Sequence, residues 1–296
     1  MTEFLQQLLN GISLGAIFAL IALGYTMVYG VLRFINFAHS DIFMVGAYAG
    51  YYMGRFVPEH TFWGGLAALF VAMAVCALLG VIIERLAYRP LRSSPTLNVL
   101  ITAIGVSLLL ENLGQHFFGA APRPFPELFP ATTFQVGGVY FSSNQLVVIS
   151  VTLVLLLALR FIVMNTKIGT AMRALSLNRQ AASLVGINND LVISFTFALG
   201  SALAAAGGIL YALNYPSIDP LMGVLPGLKA FVAAVLGGIG NIPGAALGGL
   251  LLGVVETFVN GSEYSTYKDA IAFALLILIL LFRPAGLLGR FTKEKV

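Results

Sequence analysis

Five groups of polar or glycine-rich residues interrupt an otherwise apolar chain, and each suggests a different chemistry. The first is Arg33-Phe-Ile-Asn36-Phe-Ala-His39-Ser40-Asp41. Asn36 and His39 make it a candidate stretch of translocation pathway. The competing reading caps helix ends with Asn36 and Asp41 and seats His39 on a backbone carbonyl. The second group, Glu111-Asn112, reads as a partly hydrated helix end. The third is Glu256, a lone acid. A proton relay needs a chain of such groups, so Glu256 is expected simply to reach the membrane interface. The fourth is the segment 165–190, with Gly169, Arg173, Ala174, Asn178, Ala181, Ala182 and Gly186. It fits a short amphipathic helix with small residues on one side and a glycine stop. Such a helix suits docking against a soluble partner; an ordinary basic loop is the alternative. The fifth is Gly237-Gly238-Ile239-Gly240-Asn241-Ile242-Pro243-Gly244. Helix ends at a break of this kind leave unpaired N–H and C=O groups that can hold charged parts of a substrate. Gly237, Gly238, Gly240, Asn241 and Pro243 are therefore pathway candidates too.

Catalysis finds little to work with. His39, His60 and His116 are the three histidines, and none stands in register with a nucleophile or a set of metal ligands. Cys76, the one cysteine, sits in an apolar run and reads as a small buried hydrophobe. A Walker A glycine loop with its lysine and a dinucleotide fingerprint are both missing, so the chain is expected to bind no metal and no cofactor.

The elements that would position these groups follow from composition. Of 296 residues, 59% are hydrophobic and 9% charged, against about 25% charged in a soluble domain. A water-soluble fold of this length could not hide that much apolar surface, whereas lipid makes hiding it unnecessary. The 32 glycines fit close packing of helices in membrane. A span needs about 20 apolar residues, and runs of that kind cover 8–31, 38–57, 62–83, 96–118, 144–164 and 191–213. The run 227–258 is broken by the fifth group, and the last, 270–282, would need Gly286-Leu287-Leu288 to complete a crossing. The expected fold is an all-α integral membrane protein, a polytopic bundle of about eight membrane helices with a broken or re-entrant pair near 227–258. The break itself has two open readings, half-helices meeting at membrane depth or a sharp cytoplasmic turn between tilted helices.

The net charge of +4 is not a nucleic-acid footprint, because the basic residues are scattered between apolar runs. They report orientation. One alternation of spans puts 12 of 16 on the cytoplasmic side: Arg33, Arg85, Arg89, Arg92, Arg160, Lys167, Arg173, Arg179, Arg283, Arg290, Lys293 and Lys295. Arg55, Arg123, Lys229 and Lys268 then fall outside or near the outer interface. The N-terminus is thus expected outside and the C-terminus in the cytoplasm. The first run is too long for a signal peptide and no Lys or Arg precedes it, so it is expected to remain as a helix. Residues 119–143, with Pro122, Pro124, Pro126, Pro130 and Gly137-Gly138, read as an outer loop.

Several stretches carry a family resemblance in order along almost the whole chain. They include Gly15 to Gly30, Asn36-Phe-Ala-His39, Glu84-Arg85-Leu-Ala-Tyr88-Arg89-Pro90, Gly169 to Gly186, Val235 to Ala245, Tyr267-Lys268-Asp269 and Phe282-Arg283-Pro284-Ala-Gly286. On these the sequence resembles the permease subunits of bacterial ATP-binding-cassette importers for branched-chain amino acids, specifically the first of the two permeases. The resemblance implies one transmembrane permease domain over 1–296 in the inner membrane. It also implies a second permease subunit, two cytoplasmic ATPase subunits holding ATP and Mg, and a periplasmic binding protein. The stretch Arg173–Gly186 looks like the family's coupling helix. Where many relatives carry Gly after the histidine, this chain has Ser40. Permeases for urea or short amides share the same motifs, and an ion-driven stand-alone carrier is the rival of another class.

Overall fold

The computed structural model describes residues 2–58 and 60–289, so Arg290, Lys293 and Lys295 lie outside the described residues. Among them, seven helices are long and apolar enough to cross a membrane. These are α1 (Thr2–Leu32), α3 (Phe62–Ile83, prolonged by tighter and wider turns to Leu91), α4 (Thr96–Phe118), α5 (Ser143–Asn165), α8 (Asn189–Asn214), α10 (Ile242–Asn260) and α11 (Lys268–Phe282, with a preceding turn from Ser265). Two shorter helices, α2 (His39–Gly54) and α9 (Val224–Gly237), pack among them, and α6 (Lys167–Leu177) and α7 (Arg179–Leu184) form a pair outside the bundle proper. The eight apolar runs thus become nine helices, because the run at 227–258 contains two.

α1 is the axis of the bundle. It is buried almost throughout its length, surrounded by α8, α9, α10 and α5. Its closest neighbour is α10, where Gly15 faces Gly249 and Leu250 so tightly that a Cβ on Gly15 would lie 2.7 Å from the Leu250 Cα. Small residues permit that approach, and in lipid such close packing drives helix association. The periphery is the reverse. α3, α4, α5 and α11 present Phe70, Leu108, Leu153 and Leu281 outward, so the bundle is apolar outside as well as inside, as a lipid solvent allows.

The two ends of the bundle differ. At one end Arg33, Arg89, Arg92 and Arg179 tie the ends of α1 and α3 to α6, α7 and the start of α8. At the opposite end a set of uncharged amides makes contacts: Gln6 donates to the Tyr140 carbonyl, Gln145 to Asn10, Asn144 to the Leu213 carbonyl and Asn214 to Ser13. The proline-rich loop lies at that opposite end. Its β2 (Thr133–Val136) and β3 (Val139–Ser142) pair antiparallel across Gly137-Gly138, both at positive φ as the tight hairpin turn demands. Its β1 (Arg123–Pro124) pairs with β4 (Ser217–Ile218), after α8.

α11 stops at Phe282 rather than running on through Leu288. Pro284 disfavours helical backbone at Arg283, and the chain turns so that Leu287 and Leu288 donate to the carbonyls of Leu236 and Gly237.

Candidate coupling platform and translocation core

The α6–α7 pair is built by three caps. Thr166 accepts from the Gly169 amide at 3.1 Å and starts α6; Asn178 accepts from Gln180 and Ala181 at 2.9 and 3.0 Å and starts α7. Gly186, at φ +84°, ends α7, with Ile187 donating back to the Ala182 carbonyl at 3.1 Å. Gly169 lies against the carbonyls of Ile162 and Val163, which lets the chain reverse sharply out of α5. Met172, Leu175 and Ala182 are buried against the bundle, Ala174 is half-buried, and Arg173 lies on the exposed side near the Met164 carbonyl. Leu177, Leu184 and Val185 stand 82%, 89% and 77% exposed, beside Asn178 and Ala181. This apolar ridge is not what an ordinary basic loop displays.

The platform is fastened to α1. Arg179 donates to the carbonyls of Val31 and Leu32, at 3.2 and 2.9 Å, and Arg33 to that of Ser176 at 3.4 Å. A second clasp holds α3 to α8: Arg92 pairs with Glu84 and, at 2.5 Å, with Asp190, which Arg89 also engages, and Ser194 donates to Glu84 at 2.6 Å. Except for Arg92 and Glu84, which are eight positions apart, these pairs join residues about a hundred positions apart, so local sequence gave no sign of them.

Past Arg33 the chain turns inward. Residues 33–38 run back along α1, and the His39 ring lies against Gly24, with its Nε2 3.2 Å from the Ile21 carbonyl. A carbonyl only accepts, so Nε2 carries the proton. Ile21 lies about three turns, roughly 16 Å, before the end of α1, so α2 begins well inside the bundle. Asn36 and Asp41 do not cap it. Ala38 occupies the cap position without a side-chain bond. Instead Asn36 accepts from the Tyr88 hydroxyl and Asp41 from the Ser107 hydroxyl, both at 2.5 Å. Asn36, His39 and Asp41 are all buried.

A second inward segment follows α8. Residues 215–223 pass Ile218 and Met222, both buried, and deliver the first turn of α9 against Ser40: a Cβ on Gly223 would strike the Ser40 carbonyl, and one on Gly227 the Ser40 Cβ. The amino ends of α2 and α9 therefore meet, and the irregular backbone entering each is buried in its last part, at Asn36 and Ala38 and at Met222 and Gly223, the setting in which such backbone is tolerated at membrane depth. Their positive dipole ends converge there, while the first amides of α2, those of His39, Ser40 and Asp41, donate to the carbonyls of Asn36, Phe37 and Ala38.

The glycine-rich break is a sharp turn between two helices. Gly238 and Gly240 take positive φ, Asn241 caps α10 through the Gly244 amide, Pro243 sits in its first turn, and Gly240 lies beside Gly30 near the Arg-rich end of α1. The carbonyls at Leu236 and Gly237 are taken by Leu287 and Leu288, and Asn241 donates to the Leu288 carbonyl at 2.7 Å. Ile239 of this turn lines a small pocket with Ile35, the neighbour of Asn36, and with Tyr25 and Tyr29.

Glu256 does not stand alone at an interface, and Lys229 is not an outer-surface lysine. Both are buried, and the Lys229 ammonium lies 2.6 Å from Glu256 and 2.6 Å from Asp269, joining α9, α10 and α11. Beside Glu256 opens a cavity of about 490 Å³ lined by Asn10, Ser13, Asn144, Asn214 and Thr257, at the amide-rich end. A more apolar one of about 330 Å³ lies between α1, α9 and α11, against Tyr29, Phe231 and Leu276. Between them along α1, Tyr25 packs on His39 and on Phe231, with ring centres 4.5 and 6.1 Å apart.

Known proteins share this sequence from end to end. Residues 7–280 match the family described as branched-chain amino acid transport system / permease component. The high-affinity branched-chain amino acid transport system permease protein LivH of Salmonella typhimurium is 44% identical, over 99% of this chain and 98% of its own. LivH of Escherichia coli has the same identity and coverage, and BraD of Pseudomonas aeruginosa is 42% identical over 99% and 98%. The ribose import permease protein RbsC of Escherichia coli is 25% identical over 93% of this chain. A multi-pass helix bundle, matched along almost its whole length, belongs to the family of branched-chain amino acid transport permease components.

Proposed function

We propose that this chain is the first permease subunit of an ATP-driven importer that moves leucine, isoleucine and valine across the inner membrane by alternating access. The names of its relatives support the substrate class. The observation that carries the ATP-driven reading is the exposed ridge of Leu177, Leu184 and Val185 on a platform bonded to the end of α1. In this reading the Arg-rich end is cytoplasmic, the C-terminus lies there, and the N-terminus and the 119–143 loop face the periplasmic binding protein. A second permease completes the membrane pathway, and two ATPase subunits bind ATP and Mg.

Closure of the ATPases pushes the coupling segment 165–190. Arg179 passes that motion to α1 at Val31 and Leu32, and so to the buried segment carrying Asn36 and His39. The meeting of α2 and α9 at Ser40 then changes the packing beside the pathway. A population shift of this kind requires that nucleotide bind the two states with different affinity.

Leu184 tests the platform, because its side chain touches water rather than the bundle. Leu184→Glu is expected to leave the thermal unfolding of the purified chain unchanged. ATPase subunits should no longer co-purify, and leucine uptake should fall to background. Ala182 is the poorer choice, since it is 3% exposed and a bulky side chain there would push α7 off the bundle. Wild-type uptake by Leu184→Glu would strip the platform of its role. Purification of the native chain with no ATPase in any mild detergent would favour the ion-driven carrier.

A further inference from the structure

A separate cavity of about 150 Å³ opens at the Arg-rich end between α1, α4 and α7, lined by Arg33, Arg92, Arg179, Ser94 and Thr96. We propose that it binds a phosphoryl oxyanion, either the headgroup phosphate of an anionic phospholipid or free phosphate. Three guanidinium groups from three segments converge on one space, against their mutual repulsion. The nearby charges of Arg89 and Arg92 are balanced by Glu84 and Asp190. Arg33 and Arg179 are not balanced: among the described residues their partners are backbone carbonyls. Burial, and then the positive charges of Arg92 and Arg33, hold the Arg179 guanidinium below its ordinary range. Its charge is thus stabilised by an anion placed among the three.

Two further features suit an oxyanion. The 23-residue α4 starts at the cavity, and its preceding residue, Pro95, offers no side-chain cap. Asn98 donates to the Pro95 carbonyl at 3.0 Å, which leaves the amides of Thr96 and Leu97 and the positive dipole end for an anion, next to the Ser94 and Thr96 hydroxyls. Arg33 also sits at φ +59°, a left-handed conformation that is strained for a residue with a Cβ. Glycine would fill that position without strain. Keeping arginine there is consistent with a task for its side chain. A bound anion would tie α4 to α1 and α7, the two elements that Arg179 already joins, but the site stands whether or not the platform meets an ATPase.

The backbone strain supplies a clean variant. Arg33→Gly relieves the left-handed residue while removing one guanidinium. Thr96→Asp puts a carboxylate in the first turn of α4, where it favours the helix and takes the anion's place. The full chain is purified, and binding is read by native mass spectrometry and thermal shift with inorganic phosphate, phosphatidylglycerol and phosphatidylcholine as probes. Wild type should hold phosphatidylglycerol or phosphate in clear preference to phosphatidylcholine. Both variants should bind at least tenfold more weakly, with unfolding midpoints in the absence of probe no lower than wild type. Stabilisation by phosphate alone identifies a soluble anion; retention of phosphatidylglycerol with no response to phosphate identifies a lipid. The proposal is overturned if wild type prefers neither probe, or if the variants bind like wild type. Should one variant not fold, the other decides.

Discussion

Replacing Lys229 by Met is expected to destabilise the chain by about 3–5 kcal/mol, the loss that follows removal of one partner from a buried ion pair. Lys229 and Glu256 are both more than nine-tenths buried, and the ammonium reaches Glu256 and Asp269 at 2.6 Å each. Without it, two carboxylates face each other across α9, α10 and α11, and the buried Glu256 carboxylate loses its cation. Thermal unfolding of the detergent-purified protein measures the effect. The double variant Lys229→Met/Glu256→Gln should recover most of the loss, because it removes the buried charge along with its partner and leaves Asp269, which is 38% exposed in its side chain, to be hydrated. A lysine that merely extended to an interface would behave otherwise: Met would be tolerated there and the second substitution would change nothing. An unfolding midpoint equal to wild type for Lys229→Met would therefore place the ion triad outside what holds α9 to α10 and α11.

The triad also marks where sequence reading stops. Lys229 and Glu256 are 27 positions apart, on different helices, and each alone looks like a charge near a membrane surface. Only the antiparallel return of the chain at Gly237–Pro243 brings them together. The Glu84, Arg92 and Asp190 clasp is hidden for the same reason. Apolar runs, by contrast, are legible because the bilayer imposes length and composition on each helix separately. Hence α1, α3, α4, α5 and α8 stand close to where the runs at 8–31, 62–83, 96–118, 144–164 and 191–213 place them. The caps at Thr166 and Asn178 and the stop at Gly186 are legible too, since each is a local backbone requirement.

The depth at which a helix begins is not local. The run 38–57 is long enough to suggest an ordinary crossing, yet its helix spans 16 residues, about 24 Å, and starts inside the bundle. A hydrogen bond from His39 to α1 sets that start, and hydropathy carries no record of it. The same holds for α9, whose 14 residues cover about 21 Å. Of the two readings open for the glycine-rich stretch, 237–244 takes the tight turn, and further irregular backbone lies at 33–38 and 215–223, segments with polar and bulky residues. Asn36 and His39 could be singled out because buried polar groups are rare in apolar runs. Tyr88 and Ser107, which bond Asn36 and Asp41, could not, since a single hydroxyl in a helix is unremarkable until its neighbour is known.

Ser40 provides the sharpest test of the junction between α2 and α9. Gly227→Ala is expected to destabilise the chain by about 1–3 kcal/mol, the usual range for overpacking, although Ala is intrinsically the better helix former by roughly 1 kcal/mol. The opposing sign comes from geometry: the added methyl would strike the Ser40 Cβ and lie 3.2 Å from its Cα. Most of that clash is with a side chain, so it can be removed without moving the backbone. Ser40→Gly in the Gly227→Ala background should restore stability and uptake, whereas Ser40→Gly alone should be nearly neutral for uptake. The rescue is specific to this pair. Gly223→Ala should not be rescued by Ser40→Gly, because there the obstacle is the Ser40 carbonyl, which every residue carries. Unfolding midpoints and leucine uptake across the four combinations of Ser40→Gly and Gly227→Ala, with the Gly223 pair as control, separate a packed junction from a loose one. If Gly227→Ala alone unfolds and transports as wild type does, α2 and α9 are not held in contact at their amino ends, and the proposal that the inward segments border the pathway loses its anchor.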